Sequence, residues 1–116
     1  MTMIATPIAL DAPDDIARAL DEARRAVGRG ARLVEWRVDA LATHEDAASL
    51  VTRLLDESPA PAILTCRDPL EGGRGDASDD ARRALVEAAL AATHPPRYVD
   101  IELAWIERDA AARRLV

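Results

Sequence analysis

Short apolar runs alternate along this chain with longer stretches in which apolar residues recur every three or four positions. The first run is "MIATPIAL", followed by "DAPDDIARALDEARRAVGRG", where Ile16, Leu20, Ala23 and Val27 fall at helical spacing. Asp11 and Pro13 mark the start of that helix, and Gly28 and Gly30 its stop. The second unit is "RLVEWRVDA" and then a helix beginning near Thr43, where Thr43 and Asp46 resemble a capping box. Its stripe is Ala47, Leu50, Val51, Leu54 and Leu55, and Pro59 and Pro61 end it. The third unit is "PAILTCR", the loop "DPLEGGRGDASDD", and a helix from about Ser78 with Ala81, Leu85, Ala88, Ala89 and Ala92 on one face. The fourth is "RYVDIEL", with a last helical stretch from about Ala104 to the end.

Strand starts near positions 3, 33, 62 and 97 give a period of roughly thirty residues, as βα units require. Alternating strands and helices imply an α/β fold with a parallel sheet and right-handed crossovers. Two architectures satisfy this pattern: a doubly wound open sheet and a (β/α) barrel. A full barrel takes eight units and about 250 residues. Four units correspond to half of a (β/α)8 TIM barrel. If the fold is a barrel, half of it is missing, and residues 1–116 are a single partial domain.

The strands carry charges where parallel strands are normally apolar on both faces. Side chains alternate along a strand, so Glu35, Arg37 and Asp39 share one face of the second. Thr65 and Arg67 share a face of the third, with Leu64 and Cys66 on the other. Asp100 and Glu102 share a face of the fourth with Tyr98. An antiparallel sheet with one solvated face would also alternate, but helical patterns intervene between every pair of strands. Ion pairs inside a barrel, such as Arg37 with Asp100 or Glu102, would account for part of the pattern, because buried charges need partners. A polar pocket at the strand ends would account for the rest, since α/β folds place their sites there. Asp39, at the end of its strand, would either hold a loop or touch a ligand. In "CRDPLEGG" Glu71 stands four residues after Arg67, and the two glycines behind it let the backbone turn sharply.

Composition narrows the function classes. The net charge is −6, which opposes a general nucleic-acid or anionic-membrane binder. All 15 basic residues are arginine, so no side-chain amine in these residues can form a Schiff base. Cys66 is the single cysteine, which favours a reducing compartment. No run is long and apolar enough to span a membrane, and the start lacks a signal-peptide pattern. A cytoplasmic location is expected. Cys66, Trp36 and Tyr98 read as packing residues. His44 reads as a first-turn residue of a surface helix, and His94 lies before the fourth strand, at the end away from any site. "GRGDAS" lacks the lysine and spacing of a phosphate cradle.

Taken in order, "EWRVD", "TCR", "EGG" after that arginine, and "YVDIEL" resemble the type I 3-dehydroquinate dehydratases of the shikimate pathway. The resemblance covers the whole chain but only the N-terminal half of the family's barrel. It implies a hydro-lyase of aromatic amino acid biosynthesis that converts 3-dehydroquinate to 3-dehydroshikimate with no metal or organic cofactor. In that family a lysine forms an imine with the substrate ketone, and a histidine moves the proton. The resemblance assigns Glu35, Arg37 and Arg67 to substrate hydroxyl groups and Glu71 to orienting the histidine. The family's histidine and lysine lie beyond the fourth strand, so this chain alone is expected to be inactive in Schiff-base chemistry. The alternatives are a non-catalytic half-barrel binding or interaction module and a flavodoxin-like small-molecule binder. The expected partners are a small-molecule substrate and either a second copy or a missing C-terminal half, because a half-barrel exposes strand edges.

Overall fold

The computed structural model describes residues 4–75, 77–109 and 113–115; of Glu71, Leu103, Ala104 and Arg108 it describes the backbone alone. Four strands form one parallel sheet: β1 (Ala5–Ala9), β2 (Leu33–Arg37), β3 (Ala62–Thr65) and β4 (Tyr98–Asp100). Between and after them run helices α1 (Ile16–Gly28), α2 (Ala47–Glu57), α3 (Asp79–Leu90) and α4 (Leu103–Arg108).

The strand order is β1-β2-β3-β4, the same as the order in sequence. A doubly wound sheet reverses its order at a switch point. No reversal occurs in this sheet, so every right-handed crossover returns its helix to the same side. The result is a partial TIM-barrel-like βα repeat, with one sheet face under helices and the other facing what would be a barrel interior. Pro7, which cannot donate to a ladder, sits in edge strand β1 and is tolerated there.

The core lies between sheet and helices. Ile8, Val34, Trp36 and Leu64 project from alternate strand positions, and all four are buried. They meet Ile16, Ala19, Leu20 and Ala23 from α1, and Val51, Leu54 and Leu55 from α2. Trp36 is fully buried, as expected, and its indole Nε1–H donates to Ser58 Oγ at 3.2 Å. Buried Trp is stable only with that partner supplied.

The start of α2 and the buried face of α3 differ from expectation. The helix expected near Thr43 begins at Ala47, because a 3-10 turn (Asp39–Leu41) and a further turn follow β2. Asp46 takes the N-cap position with no side-chain capping bond, so no Thr43–Asp46 box forms. His44 consequently lies in the turn before α2, exposed, rather than in its first turn. Ser78 does cap α3, its hydroxyl accepting the Ala81 N–H at 3.1 Å. Leu85 and Ala89 of the expected stripe of α3 are buried and Ala81 and Ala92 pack against the core, but the buried face also takes in Arg82 and Val86. The stretch expected to be helical from about Ala104 to the end falls partly on residues outside the described ones.

Candidate functional site on the open sheet face

Register brings the polar positions into rows. Arg37 pairs with Ala9 on one side and Thr65 on the other, and Thr65 pairs with Asp100. One residue layer lower, Glu35 lies between Pro7 and Ile63. Parallel neighbours in register point the same way, so Glu35, Arg37, Thr65 and Asp100 all project from the face opposite the helices.

These residues differ in how their hydrogen-bonding capacity is used. Thr65 is buried and its hydroxyl donates to Glu35 Oε2 at 2.8 Å. Arg67 reaches across to Asp100, with Nη2 2.7 Å from Oδ2, and both side chains stay partly exposed. The ion pair expected between Arg37 and Asp100 does not form, since Arg67 occupies Asp100. The guanidinium of Arg37 makes no hydrogen bond or ion pair among the described residues. It lines a cavity of about 230 Å³ together with Ala9, Asp39, Gly72 and Arg74. The structure thus gathers Glu35, Arg37 and Arg67 on one face at the carboxyl ends of the strands. The Glu71 side chain lies outside what is described.

The loop after β3 folds back over this end of the sheet. Asp68 Oδ1 accepts the Leu70 N–H at 2.9 Å and opens a 3-10 turn (Pro69–Glu71). Gly72 follows at φ +89°, in the left-handed region that glycine alone takes without cost. Gly73 then passes so close to the backbone that an added Cβ would stand 2.1 Å from the Arg67 carbonyl oxygen. The glycine pair therefore serves a close approach to the chain's own backbone. Arg74 N–H donates to Asp39 Oδ2 at 2.5 Å, and the Arg74 guanidinium pairs with Asp11.

A second charged cluster was not apparent from spacing. Arg82 of α3 is 0% exposed. Its guanidinium contacts Asp79 at 2.8 Å, Glu102 at 3.1 Å and Asp68 at 3.3 Å, and donates to the Cys66 carbonyl at 3.1 Å. The Trp105 ring lies 4.3 Å away, within cation–π range. Burial pulls the Arg82 pKa down, but Asp79, Glu102 and Asp68 more than offset it, so the group stays charged. Glu102 belongs to this knot. It was expected beside Tyr98 and Asp100, but β4 ends at Asp100 and the alternation ends with it. Tyr98 is also not a packing residue; it is 54% exposed.

Cys66 is buried, and desolvation, helped by the Asp39 and Glu102 charges, pushes its thiol up to about 12. It packs as a protonated apolar group rather than serving as a nucleophile. His94 pairs with Asp56 at 2.9 Å, at the far end of the sheet from the row.

Fold and site define a class: part of a parallel (β/α) barrel that carries a convergent set of carboxylate and guanidinium groups at its strand ends. The model of type I 3-dehydroquinase matches residues 4–114, and the chain belongs to that family. It is 32% identical to the 3-dehydroquinate dehydratase of Methanosarcina mazei over 76% of this chain and 37% of that protein. It is 34% identical to that of Klebsiella pneumoniae subsp. pneumoniae over 99% of this chain and 45% of that protein. A bifunctional 3-dehydroquinate dehydratase/shikimate dehydrogenase of Arabidopsis thaliana is 30% identical over 88% of this chain and 16% of its own length. The chain thus spans less than half the length of these relatives. No helix of the described residues is long and apolar enough to cross a membrane.

Proposed function

We propose that these residues form the substrate-gripping part of a cytoplasmic type I 3-dehydroquinate dehydratase, a lyase of the shikimate pathway and aromatic amino acid biosynthesis. The substrate is 3-dehydroquinate and the product 3-dehydroshikimate. Arg37 carries this reading: a guanidinium with no described partner, set in a row with Glu35 and Arg67 at the carboxyl ends of barrel strands. A polyol is held by convergent charged hydrogen-bond partners, which are stronger than neutral ones. Arg37 and Arg67 would donate to substrate oxygens. Glu35, fixed by Thr65, would accept from a hydroxyl. Glu71 would orient the imidazole that moves the alpha proton, a carboxylate partner being the ordinary way to set its tautomer.

Imine formation needs a lysine, and none occurs among these 116 residues. On this reading the lysine comes from outside these residues, and the histidine with it, since His94 is paired with Asp56 at the far end of the sheet and His44 lies exposed in the turn before α2. The purified chain given 3-dehydroquinate and borohydride should show neither turnover nor a trapped adduct. Addition of a polypeptide supplying the lysine and histidine strands should produce both. A trapped adduct on the chain alone would overturn this division of labour.

Among the described residues no strand pairs with the outer edges of β1 and β4, which supports a second reading, a non-catalytic module that closes its barrel by pairing with another copy. Sedimentation separates the two. A concentration-dependent dimer favours self-pairing, and a well-folded monomer opposes it.

A further inference from the structure

The loops that follow β2 and β3 meet at one residue that neither the row nor the buried knot uses. Asp39 carries a carboxyl side chain, is only 4% exposed and opens the 3-10 turn that follows the strand bearing Arg37. Its Oδ2 takes the Arg74 N–H at 2.5 Å, while Oδ1 has no hydrogen-bond partner among the described residues. An uncompensated buried carboxylate oxygen is costly. Beside Asp39 the chain passes at Gly75, φ +80°, where an added Cβ would lie 3.6 Å from the Asp39 carbonyl oxygen. From there Arg74 sends its guanidinium to Asp11, beyond β1. Asp39, Arg37, Gly72, Arg74 and Ala9 together wall the 230 Å³ cavity.

We infer that Asp39 is a positioning residue: it fastens the loop 68–75 over the strand ends and so sets the far wall of the cavity into which Arg37 faces. It acts through the Arg74 backbone rather than by touching the ligand, because its second carboxylate oxygen is buried. The inference deepens the proposed function and, as far as ligand affinity goes, rests on it. The loop concerned carries Glu71 and begins beside Arg67, so its placement bears directly on the gripping row. The exposed Arg74–Asp11 pair adds little, as exposed pairs do. The backbone bond to a charged carboxylate is the stronger tie.

Asparagine separates the two capacities of this side chain. In Asp39→Asn the amide oxygen can still accept the Arg74 N–H, whereas Asp39→Ala removes the acceptor. Arg74→Ala keeps the backbone tie and loses only the pair with Asp11. Two readouts apply to the 116-residue chain: amide hydrogen exchange of residues 70–75, and affinity for 3-dehydroquinate by calorimetry. Asp39→Ala should speed exchange of the Arg74 amide by at least about tenfold and weaken affinity by a similar factor. Asp39→Asn should restore affinity to within about threefold of the parent, and Arg74→Ala should leave both readouts close to it. Equal loss of affinity in the alanine and asparagine variants, with loop exchange unchanged in either, overturns the inference in favour of direct charge contact. Unchanged exchange in Asp39→Ala overturns it outright. Should Asp39→Ala fail to fold, the asparagine variant still decides: its Arg74 amide must remain protected while the amide resonance moves upfield, and loss of protection contradicts the tie. If the parent binds no 3-dehydroquinate, the functional proposal fails, and the exchange data still decide the tie.

Discussion

Arg82 and Arg37 are the same residue in opposite circumstances. Arg82 lies under the sheet's helical layer with no exposure and contacts three carboxylates, a carbonyl and an aromatic ring. Arg37 lies on the other face and has no described partner. Burial of a charge is costly unless it is paired, and a paired charge has little left to give a ligand. The Arg82 knot therefore serves the fold, joining α3, the end of β3 and the entry to α4. The open row is where unsatisfied capacity remains. Counting charged residues would have weighted the two clusters alike; counting their partners distinguishes them.

The strongest way to break this comparison is to remove Arg82. Arg82→Ala removes the guanidinium that Asp68 and Glu102, each 8% exposed, share. The expected loss is about 3–5 kcal/mol, the cost of a broken buried pair, read by urea denaturation. Cys66 reports the same event locally. Its thiol, pushed up to about 12, should resist alkylation at pH 9 in the parent and react in the variant or in urea. Alkylation of the native parent at the unfolded rate would contradict the packing described.

Gly73→Ala comes next. Its Cβ would meet backbone atoms of Arg67 and Asp68, at 2.1 and 2.8 Å, and backbone cannot rotate away. A loss of about 1–3 kcal/mol is expected, with the loop displaced from Asp39. Arg37→Ala, by contrast, removes no described bond. Its midpoint should move by no more than about 0.5 kcal/mol, while affinity for 3-dehydroquinate falls about tenfold. Arg67→Ala sharpens the point, because its partly exposed pair with Asp100 should cost stability by less than about 1 kcal/mol.

The smallest effect concerns pH. The Asp11 N–H above all, then Ala12 N–H and Arg18, hold the Asp15 carboxyl below its ordinary value despite some desolvation. A depressed carboxylate stabilises the fold above its unfolded pKa and loses that contribution as pH falls through the folded one. Acid titration should show a shallow decline below about pH 4, flattened slightly in Asp15→Asn.

The repeat order, four strand positions and the polar row were legible in the sequence because each depends on local period. Val34, Trp36 and Val38 alternate with Glu35 and Arg37, and a period of two needs no tertiary information. Arg82 was not legible. It occupies the first position of a regular i, i+3, i+4, i+7 buried stripe with Leu85, Val86 and Ala89, but an arginine counts as polar until its partners are known. The expected stripe held Leu85 and Ala89 in common with the buried face but left out Arg82 and Val86. Glu102 was misplaced because alternation holds only while a strand lasts, and β4 ends at Asp100; Tyr98 keeps its place on the face of Asp100 but is exposed there rather than packed. The glycines after Glu71 signalled a tight turn, but what they approach, the Arg67 carbonyl, is a tertiary fact.

Mapping amide chemical shifts of the 116-residue chain during titration with 3-dehydroquinate tests the central claim most directly. Saturable shifts should centre on Glu35, Arg37, Thr65 and Arg67, leave the Arg82–Trp105 region unmoved, and weaken about tenfold in Arg37→Ala. Shifts centred on Arg82 and Trp105, or an Arg37→Ala titration indistinguishable from the parent, would contradict the assignment of the open row as the substrate grip.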